Sequence, residues 1–439
     1  MVASADNMRI GIIKEVTQGV TPTTPAFQLL RITGESLTFD VNTDSSPELA
    51  SAGTTQSRGQ GENALVGAVA SGGIDFVLHK GPGILELLTG SLASDWGYDP
   101  GTVPITATEM YDSSKRPSYT IEKNFGLDGG LNAYHRYTGC SVDSLSLTIT
   151  PNSRITGSFG FQGSQFITDD NPITGATYLP AGTAPAFTSP LVPNITLKDQ
   201  AGLTVFDIGT SCFSNLQINL NNSLRGIPCI GVVGNREIAL GPFTAEIQFS
   251  VYLSSNKLLE ALRDQDEFEL EITLEDPDGE QFVLTFPRIV ISSATANGGG
   301  SGEDVIISGT MTALLGKAPD EYLIKIENKA ASATPNAITA IAAGAGPASV
   351  SGTVTLTGGG GAGGTKAGTL TVNVTPDGGT LIPFTTTIAA GATPTQVATA
   401  IAAVINANAN LSASAVAGVV TITPSGAATN ITGLTATVT

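Results

Sequence analysis

Apolar and polar residues alternate along residues 1–316, and the elements this predicts come in the same order twice. Gly34-Glu35-Ser36-Leu37-Thr38-Phe39-Asp40-Val41-Asn42 has the period of two expected of a half-buried strand, and Phe213-Ser214-Asn215-Leu216-Gln217-Ile218-Asn219-Leu220-Asn221 repeats it. A polar or Gly-rich loop follows in each copy, then a second alternating strand from Gly73 to Leu78 and from Ala245 to Leu253. One short helix is predicted next, Ile84 to Leu88 and Lys257 to Leu262. A turn rich in Asp and Gly comes after it, Leu127-Asp128-Gly129-Gly130 and Asp276-Pro277-Asp278-Gly279, and then a final strand pair. A repeat this long exceeds any solenoid unit and implies two fused copies of one β-rich domain. Fused copies suit an assembly with rotational symmetry.

The pattern places the first copy at 1–165 and the second at 166–318, with a Pro/Gly/Thr/Ala-rich connector from Asp170 to Pro193. Residues 319–347 open with a possible strand, Tyr322-Leu323-Ile324-Lys325-Ile326, and then become a linker rich in Ala, Gly and Pro. A separate module occupies 348–439. Alternating strands are predicted at Ser349–Thr357, Gly368–Val374 and Leu381–Ile388. Thr393 caps a helix with Pro394 at its first position, and Val397, Ile401, Val404 and Ile405 share one face. Closing strands include Val419-Val420-Thr421-Ile422. The fold class is therefore mainly β: two tandem β-sandwich or barrel domains, each with one flanking short helix, plus a small C-terminal β-rich domain with one helix.

Composition narrows the chemistry. Only 13% of residues are charged, yet the net charge is −18. From Pro347 onward the sole charges are Lys366 and Asp377, so the acidic excess lies in the duplicated part. Direct nucleic-acid binding is disfavoured, because phosphate attraction needs clusters of Lys and Arg. Cys140, Cys212 and Cys229 have no metal-ligand spacing and read as reduced, buried thiols. Two histidines, His79 and His135, offer little to a zinc site or to acid–base catalysis, so no cofactor and no enzyme activity are expected. No run of ~20 apolar residues predicts a membrane span. Met1 to Ile10, with Asp6 and no basic-then-apolar run, does not read as a secretory signal.

Two segments stand out as candidate sites. Glu267-Phe268-Glu269-Leu270-Glu271-Ile272-Thr273-Leu274-Glu275 puts Glu267, Glu269, Glu271 and Glu275 on one face of a strand and four apolar side chains on the other. Such a stripe is either a solvated outer face or an acidic wall of a water-filled channel. The loop from Asn42 to Val66 is longer than compact domains ordinarily carry, and is either a surface excursion or an arm that orders against a neighbour. Asp264, Asp266, Asp276 and Asp278 lack the ligand order of a calcium loop. His135 and Cys140 lie five residues apart with no oxyanion loop, so the thiol reads as structural.

The duplicated part resembles the tail tube proteins of long, non-contractile bacteriophage tails, in their duplicated form. The resemblance rests on Gly19-Val20-Thr21-Pro22, the Ser36–Asn42 strand, the Ile84–Leu88 helix and Ser118-Tyr119-Thr120-Ile121-Glu122. It continues through Thr138-Gly139-Cys140-Ser141-Val142 and Gly157-Ser158-Phe159-Gly160-Phe161-Gln162-Gly163. It implies a virion subunit, folded and assembled in the host cytoplasm. Its partners would be other copies of itself and the terminator and tip proteins of the tail. Rings with inner sheets joined as a barrel would stack, and double-stranded DNA would pass through without specific binding. Duplication suggests a trimer imitating six-fold symmetry, with a hexamer as the alternative. In that frame Glu267, Glu269, Glu271 and Glu275 are candidate lumen-facing charges, Pro47, Glu48, Arg58, Gln60 and Glu62 belong to a candidate inter-ring arm, and the C-terminal module is outward decoration. A surface-layer or adhesin-type protein shares the acidic charge and Thr/Gly/Asn richness, and a secreted β-sandwich hydrolase is the enzyme alternative.

Overall fold

The doubled alternation becomes doubled strand pairing. A computed structural model describes residues 5–45, 63–97, 108–126, 132–200, 202–207, 212–298, 304–318, 320–330, 337–343, 352–357, 368–376, 381–388, 394–409, 411–416, 419–424 and 431–438. The chain divides into two units, Met1–Asp278 with Phe282–Asn328, and Lys329–Thr439 with the turn Gly279–Gln281.

The first unit begins with β1 (Met8–Lys14), β2 (Ala26–Leu29), β3 (Gly34–Glu35), β4 (Thr38–Ser45) and β5 (Asn63–Val77). Helix α1 (Pro82–Ser91) leads to β6 (Glu109–Tyr111), β7 (Tyr119–Gly126), β8 (Asn132–Ile149), β9 (Thr156–Gly163), β10 (Gln165–Asp169) and β11 (Thr177–Leu179). The second half runs β12 (Asn194–Asp199), β13 (Thr204–Asp207), β14 (Phe213–Asn221), β15 (Arg225–Pro228), β16 (Asn235–Ala239) and β17 (Thr244–Tyr252). After α2 (Lys257–Asp264) come β18 (Glu267–Glu275), β19 (Gln281–Gly298), β20 (Val305–Ala313) and β21 (Lys325–Lys329).

Corresponding strands take corresponding partners, all antiparallel. β5 pairs with β4 and β9, β9 with β8, β8 with β7, and β7 with β1. In the second half β17 pairs with β14 and β20, β20 with β19, and β18 with β12. Each half is thus two layers facing across a core. Strand β8 serves both layers because it is 18 residues long and turns at Gly139, whose φ of +65° favours glycine. A Cβ there would meet Ser164 Oγ at 2.6 Å. One hydrophobic core runs through both halves, holding Ile74, Phe76, Leu145 and Phe159 with Ile12 and Ile121, and Leu216, Ile247 and Phe249 with Leu197, Leu270 and Ile272.

The helices follow local rules. α1 starts at Pro82, whose fixed φ suits a first turn, and buries Ile84, Leu87 and Leu88. α2 buries Leu258 and Ala261 and stops at Gln265, whose left-handed backbone (φ +55°) turns its N–H back onto Ala261 O. The entry loop is held by one buried carboxylate. Glu15 accepts from Ser118 Oγ (2.8 Å), Thr120 Oγ1 (2.8 Å), Gly139 N (2.9 Å) and Gly19 N (2.7 Å), fastening the chain start to β7 and β8.

Several expectations need adjusting. The strand read continuously from Gly34 to Asn42 breaks at Ser36–Leu37, although Gly34 and Thr38 hold one register on β5. The connector from Asp170 contains β11, which pairs in parallel with β2. The segment read as the start of a linker contributes β21, paired with β6. Cys140 is buried, and burial pushes its thiol pKa up, but Cys212 is exposed and Cys229 only half-buried. The Leu127–Gly130 turn lies outside the described residues.

The second unit holds β22 (Ala337–Ala343), β23 (Gly352–Thr357), β24 (Gly368–Pro376), β25 (Ile382–Ile388), α3 (Pro394–Asn406), β26 (Leu411–Val416), β27 (Val419–Pro424) and β28 (Ile431–Val438). It forms two sheets, β22-β23-β27-β26 and β25-β24-β28. α3 buries Val397, Ala398, Ile401 and Ile405 in one core with Leu370, Val372, Val374, Val420 and Ile422. Its end is fixed by Asn406, whose side chain both donates to Ala413 O and accepts from Ala413 N at 2.7 Å.

Between the halves of the first unit, β14 lies antiparallel against β8, with Leu216 opposite Ile149 and Asn221 opposite Ser144. Buried Asn222 locks the corner, its amide donating to Val142 O (2.9 Å) and Ser91 O (3.1 Å). Replacing it by Ala strands those carbonyls away from water. Asn222→Ala is expected to lower the unfolding free energy of the unassembled chain by about 1–3 kcal/mol in urea titration. A change within about 0.5 kcal/mol, the range of ordinary surface substitutions, would show that the corner holds without it.

Candidate functional site

Through the β8–β14 joint, eight strands form one unbroken antiparallel run, β4-β5-β9-β8-β14-β17-β20-β19. One face of the run is core. The other is polar and can be followed across strands by register, since directly opposed residues share a face. Asp75, Ser158, Ser146, Asn219, Glu246 and Thr312 form one line across six strands. Val77, Thr156, Thr148, Gln217, Gln248 and Thr310 form the next. Hydrogen bonds knit this face laterally: Gln217 Nε2 donates to Ser146 Oγ at 3.1 Å, and the Ser250 and Ser308 hydroxyls meet at 2.9 Å. Its charges are the carboxylates Asp40, Asp75 and Glu246, and no Lys or Arg occurs in β4, β5, β9, β14, β17 or β20, nor in the second half of β8 or β19.

The run has two ends. At one, β4 is paired with β5 and otherwise exposed from Asp40 to Ser45. At the other, the Ser292–Gly298 part of β19 carries β20 on one side and is exposed apart from Ala294. Beyond the sheet body the β4–β5 ribbon continues as far as the pair Ser45–Asn63 with both faces open, leaving Val41, Leu65 and Val66 each more than half exposed. The expected arm residues Pro47, Glu48, Arg58, Gln60 and Glu62 fall outside the described residues.

The carboxylate stripe stands elsewhere. Glu267, Glu269, Glu271 and Glu275 are on β18, whose apolar side faces the core together with Leu216 and Phe249 of the run. The stripe and the polar face of the run therefore look in opposite directions. It is also largely neutralised. Glu267 bonds Arg288 and Lys317 Nζ (2.6 Å to the latter), while Lys198 Nζ lies 3.2 Å from Glu269 and 3.7 Å from Glu271. Asn194 donates to Glu271 at 2.8 Å. The four Asp residues weighed for calcium also have local roles: Asp276 accepts from Asp278 N (2.9 Å) in the turn, and Asp264 pairs with Arg263. Among the described residues no three His, Cys, Asp or Glu side chains gather as a metal cluster. His135 packs edge-on between Phe125 and Phe166, away from any reactive thiol geometry.

A sheet with both ends exposed and one uncharged-polar face is a part of something larger. The family model described as phage tail tube protein matches residues 5–313. The chain belongs to the phage tail tube family. Comparison with curated proteins returns no match. The match takes in the first unit of this tail tube protein through the last residue of β20, and leaves the second unit outside it. What the sequence reading missed in the tail tube chain is the polar face of the run. Its signal lay in the same strands that revealed the repeat, in the hydroxyls and amides between their apolar residues.

Hydrogen bonds from Arg288 and then Lys317 hold the Glu267 carboxyl down to about 2. A depressed carboxyl stabilises the fold above its ordinary value and loses that contribution as pH falls through its folded value. Glu267→Gln is expected to lower stability at pH 7, with the difference from the parent intact down to about pH 4 and gone by about pH 2. Urea midpoints at four pH values measure it; a difference independent of pH would mean that the ion pairs contribute nothing.

Proposed function

We propose that this tail tube protein assembles by closing the eight-stranded run of each chain into a ring, that rings stack into the tube, and that the polar face of the run lines the bore. The observation that carries this reading is the β8–β14 joint, where two copies of one fold already share a sheet edge within a single chain. An edge that remains exposed invites pairing by another strand, and a closed barrel removes it. Three chains would supply six copies and imitate six-fold symmetry; a ring of six chains is the competing stoichiometry.

In the ring, Ser, Thr, Asn and Gln would face passing DNA, with Asp40, Asp75 and Glu246 as the charges. No cation on these strands would hold phosphate, so the genome would slide without electrostatic traps. This assigns the bore's acidity to different residues from the Glu267–Glu275 stripe, which would belong to the tube wall beside Lys198, Arg288 and Lys317. Terminator and tip proteins would meet the end rings, and assembly would take place in the host cytoplasm before incorporation in the virion tail.

Cryo-electron microscopy of the concentrated protein tests the assembly. Hollow stacked rings with three-fold chain symmetry are expected; a monomer at all concentrations, or flat lattices, would sink the reading. The bore assignment has its own test. Asp75→Lys with Glu246→Lys should still form tubes, because both side chains are exposed, and linear double-stranded DNA should then co-sediment with them at low salt and be released at high salt. Tubes that retain no more DNA than the parent would place these residues outside the bore.

A further inference from the structure

The intrachain joint carries enough information to specify the joint between chains, residue by residue. β8 and β19 are both 18 residues long. Each carries a one-residue bulge at the same position, Asp143 between Val142 and Ser144, and Ser292 between Ile291 and Ser293. That aligns Ser146 with Thr295. The bulge partners Phe161 and Met311 align β9 with β20, and so Gln162 with Thr312. Their partners in turn align Ser71 with Glu246, and the next register aligns Thr38 with Asn219. Every step uses a pairing within one copy, none across the joint.

In the intrachain joint Asn219 faces Ser146. Resting on the ring reading above, we infer that the Ser292–Gly298 end of β19 in one chain pairs antiparallel with the outer side of β4 in the next, with Thr38 opposite Thr295. The same register sets Asp40 opposite Ser293, Phe39 opposite Ala294 and Leu37 opposite Ala296.

Three independent features agree with it. The first is facing. Thr38 and Asp40 lie on the polar side of the run, as do Thr295 and Ser293, whereas Phe39 and Leu37 meet Ala294 and Ala296 on the core side. A slip of one residue would mix the faces. The second is size: two large apolar side chains on one edge meet two alanines on the other. The third is hydrogen-bond phase. Ser36 N donates to Gly73 O, so even-numbered residues of this strand direct their backbone groups to β5 and odd-numbered ones direct theirs outward. Thr38–Thr295 then falls at a non-hydrogen-bonded site. Its counterpart Asn219–Ser146 does so too, because Asn222 N donates to Asp143 O three residues away in the same register.

The joint also gives the ribbon beyond β4 a place to lie. In the intrachain case the hairpin after β14 folds onto the other copy: β16 touches β8 and β9, and Arg116 bonds Glu237 at 2.5 Å. The exposed Val41, Leu65 and Val66 would lie in the corresponding way along β19 and β20 of the neighbouring chain.

Cysteine pairing reads the register. Opposed residues at a non-hydrogen-bonded site have Cα atoms about 4.5 Å apart, within disulfide reach. In a Cys212→Ser, Cys229→Ser background, Thr38→Cys with Thr295→Cys should convert most of the chain in oxidised tubes to covalent oligomers, a ladder ending at the ring size. Thr38→Cys with Ala294→Cys should convert little. Tubes that form normally but link equally through both pairs, or through neither, would overturn the register while leaving the ring reading intact; parent protein that forms no rings would overturn both. If the cysteines block assembly, hydrogen exchange on parent tubes decides. Amides of Leu37, Phe39, Ala294 and Ala296 should become protected on assembly, and their continued fast exchange would refute the pairing.

Discussion

Backbone hydrogen bonding along one shared strand edge governs this structure. β8 gives its second half to β9 on one side and β14 on the other, and without that ladder the two halves would be separate sandwiches with exposed margins. A β-edge cannot be left bare cheaply, because each unpaired N–H and C=O must find water or a partner. The joint satisfies those groups, merges two cores into one, and makes two short polar faces into one long one. Asn222 and the Asp143 bulge sit at its end, where the strand must leave the sheet without losing its bonds.

The sequence made the elements legible because alternation is a local signal. The strand around Ile218, the helices around Leu87 and Leu258, and the order of the repeat could all be read from spacing alone. What spacing does not carry is which sheet a strand joins. The Glu267–Glu275 alternation specifies a two-faced strand equally well in either layer, and the cations that answer it, Lys198 and Lys317, come from β12 and from the segment after β20. The polar face of the run was overlooked for a chemical reason: Ser, Thr, Asn and Gln give no charge pattern to notice. The break at Ser36–Leu37 is equally silent, since the alternation continues across it. β21 was read as the opening of a linker because the residues after it are poor in large apolar side chains, while its own partner, β6, lies far back in the chain.

The two copies have kept their pairing and diverged in their insertions. After β14 the chain turns at Ser223, which takes a left-handed backbone (φ +47°), and the return passes through Gly241-Pro242 before β17 begins. Those interruptions let the β15–β16 hairpin bend onto the body. In the first copy β4 and β5 have no such break at the same level and run on as a straight ribbon. One insertion thus packs within its own chain and the other leaves Val41, Leu65 and Val66 in solvent.

Covalent fusion changes how such a wall can fail. The contact between β8 and β14 is tethered, so dilution cannot separate its two sides, and its local concentration is set by the connecting chain and not by the solution. Any contact made between separate chains lacks that protection. A ring built this way has seams of two strengths in alternation, and under strain it should part only at every second one, releasing whole chains whose internal seam is still closed.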